Sequence, residues 1–179
     1  MNFAQRKVLL VAVTAGFALP SFADSPRDTT SKTMTLFDLP NQIAWCAVPF
    51  DARKRGPEER AEMLQRLGFT KFAYDWRAEH IPTFDAEVEA LQKRGIEFTA
   101  WWFPTDARDP NAQKILDVIV RHKIHPQLWV MGSGAPTKTP EEQKQRIESE
   151  AERIRKIVEL AKPSGCAVEL YNHNGWFGQ

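Results

Sequence analysis

Residues 83–103 read TFDAEVEALQKRGIEFTAWWF and contain the pattern that decides the fold. Thr83 is a candidate N-cap, and the apolar residues of Phe84–Arg94 recur on one face of a predicted helix. Gly95 then supplies a residue that can adopt the left-handed conformation in which many helices end. Glu97–Phe103 follows as an apolar and aromatic run that predicts a strand. One helix-to-strand unit is therefore complete within this stretch.

The same unit recurs on both sides of that stretch. Strands are predicted over Ile43–Val48, Lys71–Asp75, Glu97–Phe103, Gln127–Met131 and Ala167–Asn172. Between them, helices are predicted over Pro57–Leu67, over Phe84–Arg94, from Asp109-Pro110 to His122, and onward from the capping box Thr139-Pro140-Glu141-Glu142. The last two helices carry inner stripes of Ile115, Leu116, Ile119 and Val120, and of Ile147, Ala151, Ile154, Val158 and Ala161.

Strict alternation of strands and helices implies a parallel sheet covered by helices. Both a doubly wound sheet and a (β/α)8 barrel have this pattern, and a chain of 179 residues is short for a complete barrel. The first predicted strand is followed by Pro49-Phe50-Asp51-Ala52-Arg53, where a nucleotide-binding fold would need a glycine-rich turn. The nucleotide-binding form of the doubly wound sheet therefore loses its main support.

The first 42 residues lie outside the repeating pattern. Met1–Ala23 resembles a secretory signal peptide, with a positive start, an apolar centre too short to span a bilayer, and small residues at its end. Residues 24–42 form a polar N-terminal arm, and residues 43–179 form the α/β domain. We expect an exported protein, periplasmic or secreted, with no stable membrane anchor.

Composition excludes one class of partner and bears on the cysteines. The chain has 24 Lys and Arg against 23 Asp and Glu, and these charges are scattered, so nucleic acid is not an expected partner.

Cys46 and Cys166 lie at or beside different predicted strands. We interpret them as separate packing residues, with a disulfide as the alternative that export would permit.

Polar and aromatic side chains cluster just past the predicted strands, where parallel α/β folds bind their ligands. The candidate substrate-binding residues are Asp75, Trp76, Arg77, His80, Trp102, Tyr171, Asn172 and Trp176, and His173 lies among them. Aromatic faces of this kind pack against the C–H surface of a sugar while polar neighbours bond its hydroxyls. A small-molecule sugar is therefore the expected ligand. The alternative for Trp45, Trp101, Trp102 and Trp129 is that they only fill the core.

Glu169 is a carboxylate within an otherwise apolar strand, and burying it unpaired would be costly. A metal ion or a basic side chain at the strand ends would satisfy it, and Tyr171 shares its strand face. The alternative is that both residues face the helices, or that Glu169 pairs with a lysine.

From about Ile43 onward the chain resembles the sugar phosphate isomerase/epimerase family of xylose-isomerase-like barrels. The stretches that carry the resemblance are Leu67-Gly68-Phe69 leading into Ala73-Tyr74-Asp75-Trp76-Arg77, then Lys93-Arg94-Gly95-Ile96-Glu97, and Glu169 through Trp176. The resemblance implies an α/β fold that is a partial (β/α)8 TIM barrel, with about five β/α units of the xylose-isomerase-like barrel.

The resemblance also implies a metal-dependent sugar isomerase or epimerase, in which a proton moves through an enediol beside Mn, Co or Mg. Family members take their first metal ligand from a Glu after the fifth strand, and this sequence contains only that one of the four usual positions. Glu169 is the metal-ligand candidate, and Glu169 and His173 are the catalytic candidates. A second alignment of the motif places Tyr171 at the ligand position instead.

Two other functions are consistent with the sequence. One is a noncatalytic carbohydrate-binding barrel, and the other is a glycoside hydrolase that uses Asp75 and Glu169 as its two carboxylates. Because a chain with five barrel strands leaves open sheet edges, self-association is also expected.

Overall fold

The computed structural model describes residues 36–132, 134–173 and 175–178. The strands are β1 Lys71–Tyr74, β2 Glu97–Phe103, β3 Gln127–Met131 and β4 Val168–Tyr171. The helices are α1 Ala47–Phe50, α2 Pro57–Arg66, α3 Phe84–Lys93, α4 Pro110–His122 and α5 Pro140–Ala161, and short 3-10 turns occupy Leu39–Asn41, Ala78–Thr83, Lys162–Ser164 and Gly175–Gly178. The predicted signal peptide and residues 24–35 of the arm lie outside the described residues.

The fold is mixed α/β, with a four-stranded parallel sheet in the order β1-β2-β3-β4. A doubly wound sheet would reverse its strand order at a switch point, and this sheet does not. Successive right-handed crossovers in one direction place the crossover helices α3, α4 and α5 on the same sheet face. This winding is that of part of a β/α barrel, as the sequence predicts.

A single apolar core lies between that sheet face and the helices. Strands contribute Phe72, Tyr74, Phe98, Trp101, Leu128 and Val130, and helices contribute Leu64, Val88, Leu91, Ile115, Ile119 and Ile157. Arg60 of α2 and Glu87 of α3 form an ion pair inside this layer, with N···O distances of 2.9 and 3.1 Å and almost no exposure. The helices are therefore held together by an internal polar contact as well as by apolar packing.

The first predicted strand, Ile43–Val48, is wrong except at one residue. Ala44 forms an isolated parallel bridge with Phe72, where its N–H donates to the carbonyl of Lys71 and its own carbonyl accepts from Ala73. Cys46 then adopts a left-handed conformation, with φ of 53°, and the chain turns into α1. One residue therefore occupies the position that a full strand would have beside β1.

The predicted helices are confirmed to within one residue at each described end, but their buried faces are partly wrong. Val120 is 59% exposed, and Val118 is buried in its place. On α5 the buried residues are Ile157 and Ala161, whereas Ile147 and Val158 are exposed. The inner faces are therefore rotated relative to the predicted stripes.

The helix starts show which predicted caps form. Asp109 accepts the N–H of Asn111 at 2.8 Å, and Thr139 accepts the N–H of Glu142 at 3.1 Å. Thr83 precedes α3 but makes no side-chain cap, because its hydroxyl donates to the carbonyl of His80.

Cys46 and Cys166 are both free thiols, as the sequence analysis expects. Within the described part of the chain, no helix is both long enough and apolar enough to cross a bilayer.

Candidate functional site

A cavity of about 600 Å³ lies at the carboxyl ends of the strands, on the sheet face opposite the helices. Trp101 is fully buried against the helices, and side chains alternate along a strand, so its neighbour Trp102 points to the opposite face. We call this the open face. The residues that line the cavity are Trp45, Cys46, Pro49, Phe50, Asp75, Arg77, Trp102, Met131, Tyr171 and His173.

Aromatic rings form a continuous wall of the cavity. Trp45 and Trp102 are parallel to within 2°, with ring centroids 6.4 Å apart, and Tyr171 lies 5.2 Å from Trp102. Two rings stack on Tyr171: Trp129, which lies outside the cavity lining, at 5.4 Å, and His173 at 5.7 Å. These rings present flat apolar faces of the kind that bind the C–H face of a sugar ring.

Asp75 is the carboxylate of this cavity, and it follows β1 directly. Its side chain is only 3% exposed, and neither carboxylate oxygen has a hydrogen-bond partner among the described residues. Burial raises the pKa of Asp75. Its own N–H, the charge of Arg77, the N–H of Val48 and the Cys46 thiol act in the opposite direction, although no described group makes a hydrogen bond of normal geometry with the carboxylate.

Two other groups that line the cavity, the Cys46 thiol and the Tyr171 hydroxyl, have raised pKa values. Burial raises the pKa of the Cys46 thiol, and the negative charge of Asp75 raises it further. Burial also raises the pKa of Tyr171, with smaller contributions from Cys46 and Asp75. Burial is thus the main cause of both shifts, and the negative charge of Asp75 adds to it.

Arg77 lies at the rim and is committed to the backbone. Its Nη1 donates to the carbonyls of Asp75 and Trp76, each at 2.7 Å. Its N–H donates to Nδ1 of His80 at 2.8 Å, and the N–H of His80 donates back to the carbonyl of Arg77. His80 thus shapes the turn that holds Arg77, and its ring lines a neighbouring polar pocket instead of the Asp75 cavity.

Three other predicted binding residues lie outside the cavity. Trp76 donates its indole N–H to the carbonyl of Trp102 at 2.8 Å and packs edge-on against Phe84. Trp176 donates to Gln143 at 2.6 Å and, with Asn172, lines a separate pocket of about 440 Å³. Trp76 supports the strand ends, and the other two belong to the surface beside α5.

Glu169 is exposed and does not line the cavity. Glu169 pairs in register with Trp129 and precedes Tyr171 by two residues on β4. It therefore shares the open face with Tyr171 but lies farther from the carboxyl end of the strand. Within the described residues, no three His, Cys, Asp or Glu side chains lie close enough to share a metal ion. These residues therefore do not fit a divalent cation by themselves, because such an ion needs several donors held together.

The structure thus brings five predicted residues to one cavity: Asp75, Arg77, Trp102, Tyr171 and His173. It adds Trp45, Cys46 and Phe50, which the sequence analysis did not select. Pro49-Phe50-Asp51 stands past the first predicted strand, so the position of Phe50 was a usable signal. No local signal marks the turn at Cys46 that brings Trp45 to the open face.

No protein-family model and no curated protein matches this chain. Among solved structures, it is similar to a xylose isomerase domain protein from Alicyclobacillus acidocaldarius subsp. acidocaldarius, with 18% identity and a TM-score of 0.46. The match covers 72% of this chain and 48% of that protein, so the chain spans about half its length. The candidate site therefore rests on the geometry of this chain's own side chains.

Proposed function

We propose that this chain binds a sugar in the Asp75 cavity and that it forms the sugar-binding part of an isomerase or epimerase. The observation that carries the proposal is the combination of a buried carboxylate without a partner and a continuous wall of aromatic rings. Both features suit a sugar, since a sugar has an apolar C–H face and a rim of hydroxyls.

In the proposed complex, the sugar ring lies against Trp45, Trp102 and Tyr171. Asp75 accepts hydrogen bonds from one or two hydroxyls, which supplies the partners that its oxygens lack in the free protein. Arg77 and His173 stand on the wall of the same cavity and can donate to the sugar's remaining oxygens.

The raised pKa of Asp75 supports a catalytic role in proton transfer. A carboxylate whose pKa moves toward neutrality is a better base for removing a proton from the carbon beside a carbonyl. The C–H electron pair would form a C=C bond as the carbonyl electrons move onto oxygen, giving an enediolate. A proton would then pass from the neighbouring hydroxyl to that oxygen, and Asp75 would return its proton to the former carbonyl carbon. Arg77, Tyr171 and His173 line the cavity and carry N–H or O–H groups that can donate to the oxygen that gains charge.

Binding without turnover is the second candidate function. It is favoured by the fact that Asp75 is the single carboxylate among the described residues that line the cavity. The same fact weighs against a glycoside hydrolase, which needs two carboxylates facing one bond. Glu169, its expected second carboxylate, does not line the cavity.

The test is a titration of the full chain with a panel of monosaccharides, followed by calorimetry. Trp45→Ala removes one ring of the wall and should weaken sugar binding about tenfold, the usual worth of such an aromatic contact. Phe37→Ala is the matched control, because Phe37 is an exposed ring that does not line the cavity. Absence of sugar binding, or equal losses in both variants, would contradict the proposal.

Turnover is tested separately by incubating bound sugars in deuterium oxide and following their C–H signals by proton NMR. Isomerisation through an enediol exchanges the proton on the carbon beside the carbonyl, and Asp75→Asn should stop that exchange. Binding with no exchange would favour the second candidate function.

A further inference from the structure

The Asp75 carboxylate has no compensating charge in the described structure. It is 3% exposed, it makes no ion pair with a described residue, and both of its oxygens lack hydrogen-bond partners. A buried unpaired carboxylate is unfavourable by several kcal/mol, and a neutral hydroxyl replaces only part of the lost hydration. A ligand that brings a positive charge would compensate it more fully.

The nearest cation does not supply that charge. Arg77 directs its Nη1 at the main-chain carbonyls of Asp75 and Trp76 instead of the Asp75 carboxylate. Its charge is felt at Asp75, where it lowers the pKa, but burial has the larger effect. Cys46, the other polar neighbour, is held in its neutral form by its raised pKa. The carboxylate therefore has no compensating charge in direct contact among the described residues.

The walls of the cavity also favour a cation. Trp45, Trp102 and Tyr171 form a group in which ring centroids lie 5.2 to 6.4 Å apart. The face of an aromatic ring carries partial negative charge and attracts ammonium groups, most strongly where water is excluded. Ring faces beside a buried carboxylate form the combination that selects an ammonium group over a hydroxyl.

We propose that the sugar recognised by the Asp75 cavity carries a protonated amino group, which pairs with Asp75 and lies against the rings of Trp45 and Trp102. This inference rests on the proposed sugar-binding function and narrows its substrate class to amino sugars. The sugar ring provides the C–H surface for the aromatic wall, and its hydroxyls remain available to Arg77 and His173.

The experiment compares glucosamine, glucose and N-acetylglucosamine by calorimetry near neutral pH, using the full chain. The three sugars share a ring, and only the first carries a charged amine. We expect glucosamine to bind at least about tenfold more tightly than the other two, which corresponds to one charge-assisted contact. Asp75→Asn should remove that preference while keeping the shape of the site. Asp117→Asn, which changes an exposed carboxylate on α4, should preserve it.

The outcomes separate this inference from the function on which it rests. Equal binding of glucose and glucosamine would overturn the amino-sugar inference and leave sugar binding intact, whereas no binding of any sugar would overturn sugar binding itself. A preference for glucosamine that survives in Asp75→Asn would show that a group other than Asp75 binds the amine. Tighter binding of tetramethylammonium than of glucosamine would replace the amino sugar with a simple quaternary ammonium ligand.

Discussion

Asp75 and Cys46 lie together at the base of the cavity, where burial raises the pKa of both side chains and the Asp75 charge raises that of Cys46 further. Cys46 reaches this position because the chain turns through a left-handed conformation immediately after the bridge at Ala44. The turn brings the Cys46 thiol close to Asp75, and the charge of Asp75 then raises the pKa of that thiol. The reactivity of the thiol therefore reports on the ionisation of Asp75.

We predict that Asp75 destabilises the folded protein at neutral pH. Its pKa is raised on folding, so the native state keeps the proton to a higher pH than the unfolded chain does. The free energy of unfolding should fall as the pH rises above the unfolded pKa of about 3.9, until the folded carboxyl has also ionised. Asp75→Asn lacks this loss and should be more stable than the wild type at pH near 7.

The measurement is urea unfolding of both proteins across that pH range. The stability difference should shrink toward low pH, where Asp75 is protonated in both states. A difference that is independent of pH would contradict the electrostatic explanation, because it would then reflect packing alone.

The Cys46 thiol should react faster when the neighbouring charge is removed. The thiolate is the reactive form, and Asp75→Asn removes a negative charge that disfavours it. Alkylation near neutral pH, followed by mass spectrometry, should show acceleration at Cys46. Cys166 is the internal control, since its raised pKa comes from burial and not from Asp75. Equal acceleration at both cysteines would indicate a general opening of the fold instead.

The buried ion pair between α2 and α3 should matter more than any surface pair. Glu87→Gln leaves the Arg60 guanidinium buried without a countercharge, so we expect a loss of about 3–5 kcal/mol in the free energy of unfolding. The double variant Arg60→Met with Glu87→Leu removes both charges and should recover most of that loss. Denaturant unfolding measures both.

The control for this prediction is Glu58→Gln, which breaks an exposed pair with Lys93 and Arg94 and should leave the unfolding midpoint nearly unchanged. If Glu87→Gln behaved like the control, the pair would not be buried as described. A double variant as unstable as the single one would assign the loss to packing.

Apart from the first predicted strand, which the structure replaces by a bridge at Ala44 and the helix α1, element bounds were predictable from local chemistry, whereas buried faces were not. Gly95 follows α3 with φ of 66°, a conformation that glycine adopts readily, and Pro140 is the first residue of α5, where its missing N–H is not needed. Within Ile115–Val120, by contrast, apolar residues occur on most sides of α4. The packing of α3 and α5 decides which of them is buried, and this information is not local to the helix.

The candidate site divides in the same way. Asp75, Trp102 and Tyr171 were predictable, because they stand at strand ends and the ends of parallel strands meet at one edge. Trp45 was not, since its position depends on a left-handed Cys46 that no sequence pattern indicates. The apolar residues around Glu169 suggested that its carboxylate would be buried. It is exposed instead, because β4 has no described neighbouring strand on its outer side.

Divalent metal binding by this chain should be weak. Glu169 is an exposed carboxylate, and no cluster of three metal-ligating side chains exists among the described residues. We expect calorimetry with Mn²⁺, Co²⁺ or Mg²⁺ to give dissociation constants of about 1 mM or weaker, as for an isolated carboxylate. Tight binding that is lost in Glu169→Gln, but kept in the exposed control Glu159→Gln, would contradict this prediction and restore Glu169 as a metal ligand.

The last prediction concerns β4, which pairs only with β3 within the described residues. Its outer edge presents unpaired backbone groups, and Leu170 beside them is 57% exposed. An open strand edge beside an exposed apolar side chain is a template for pairing with another copy of the chain. We therefore expect the chain to self-associate as its concentration rises, and Leu170→Lys to suppress this in sedimentation measurements. Val120→Lys places the same charge on an equally exposed apolar residue of α4 and should leave association unchanged. A wild-type chain that remains monomeric, or two variants with the same effect, would show that the β4 edge does not drive association.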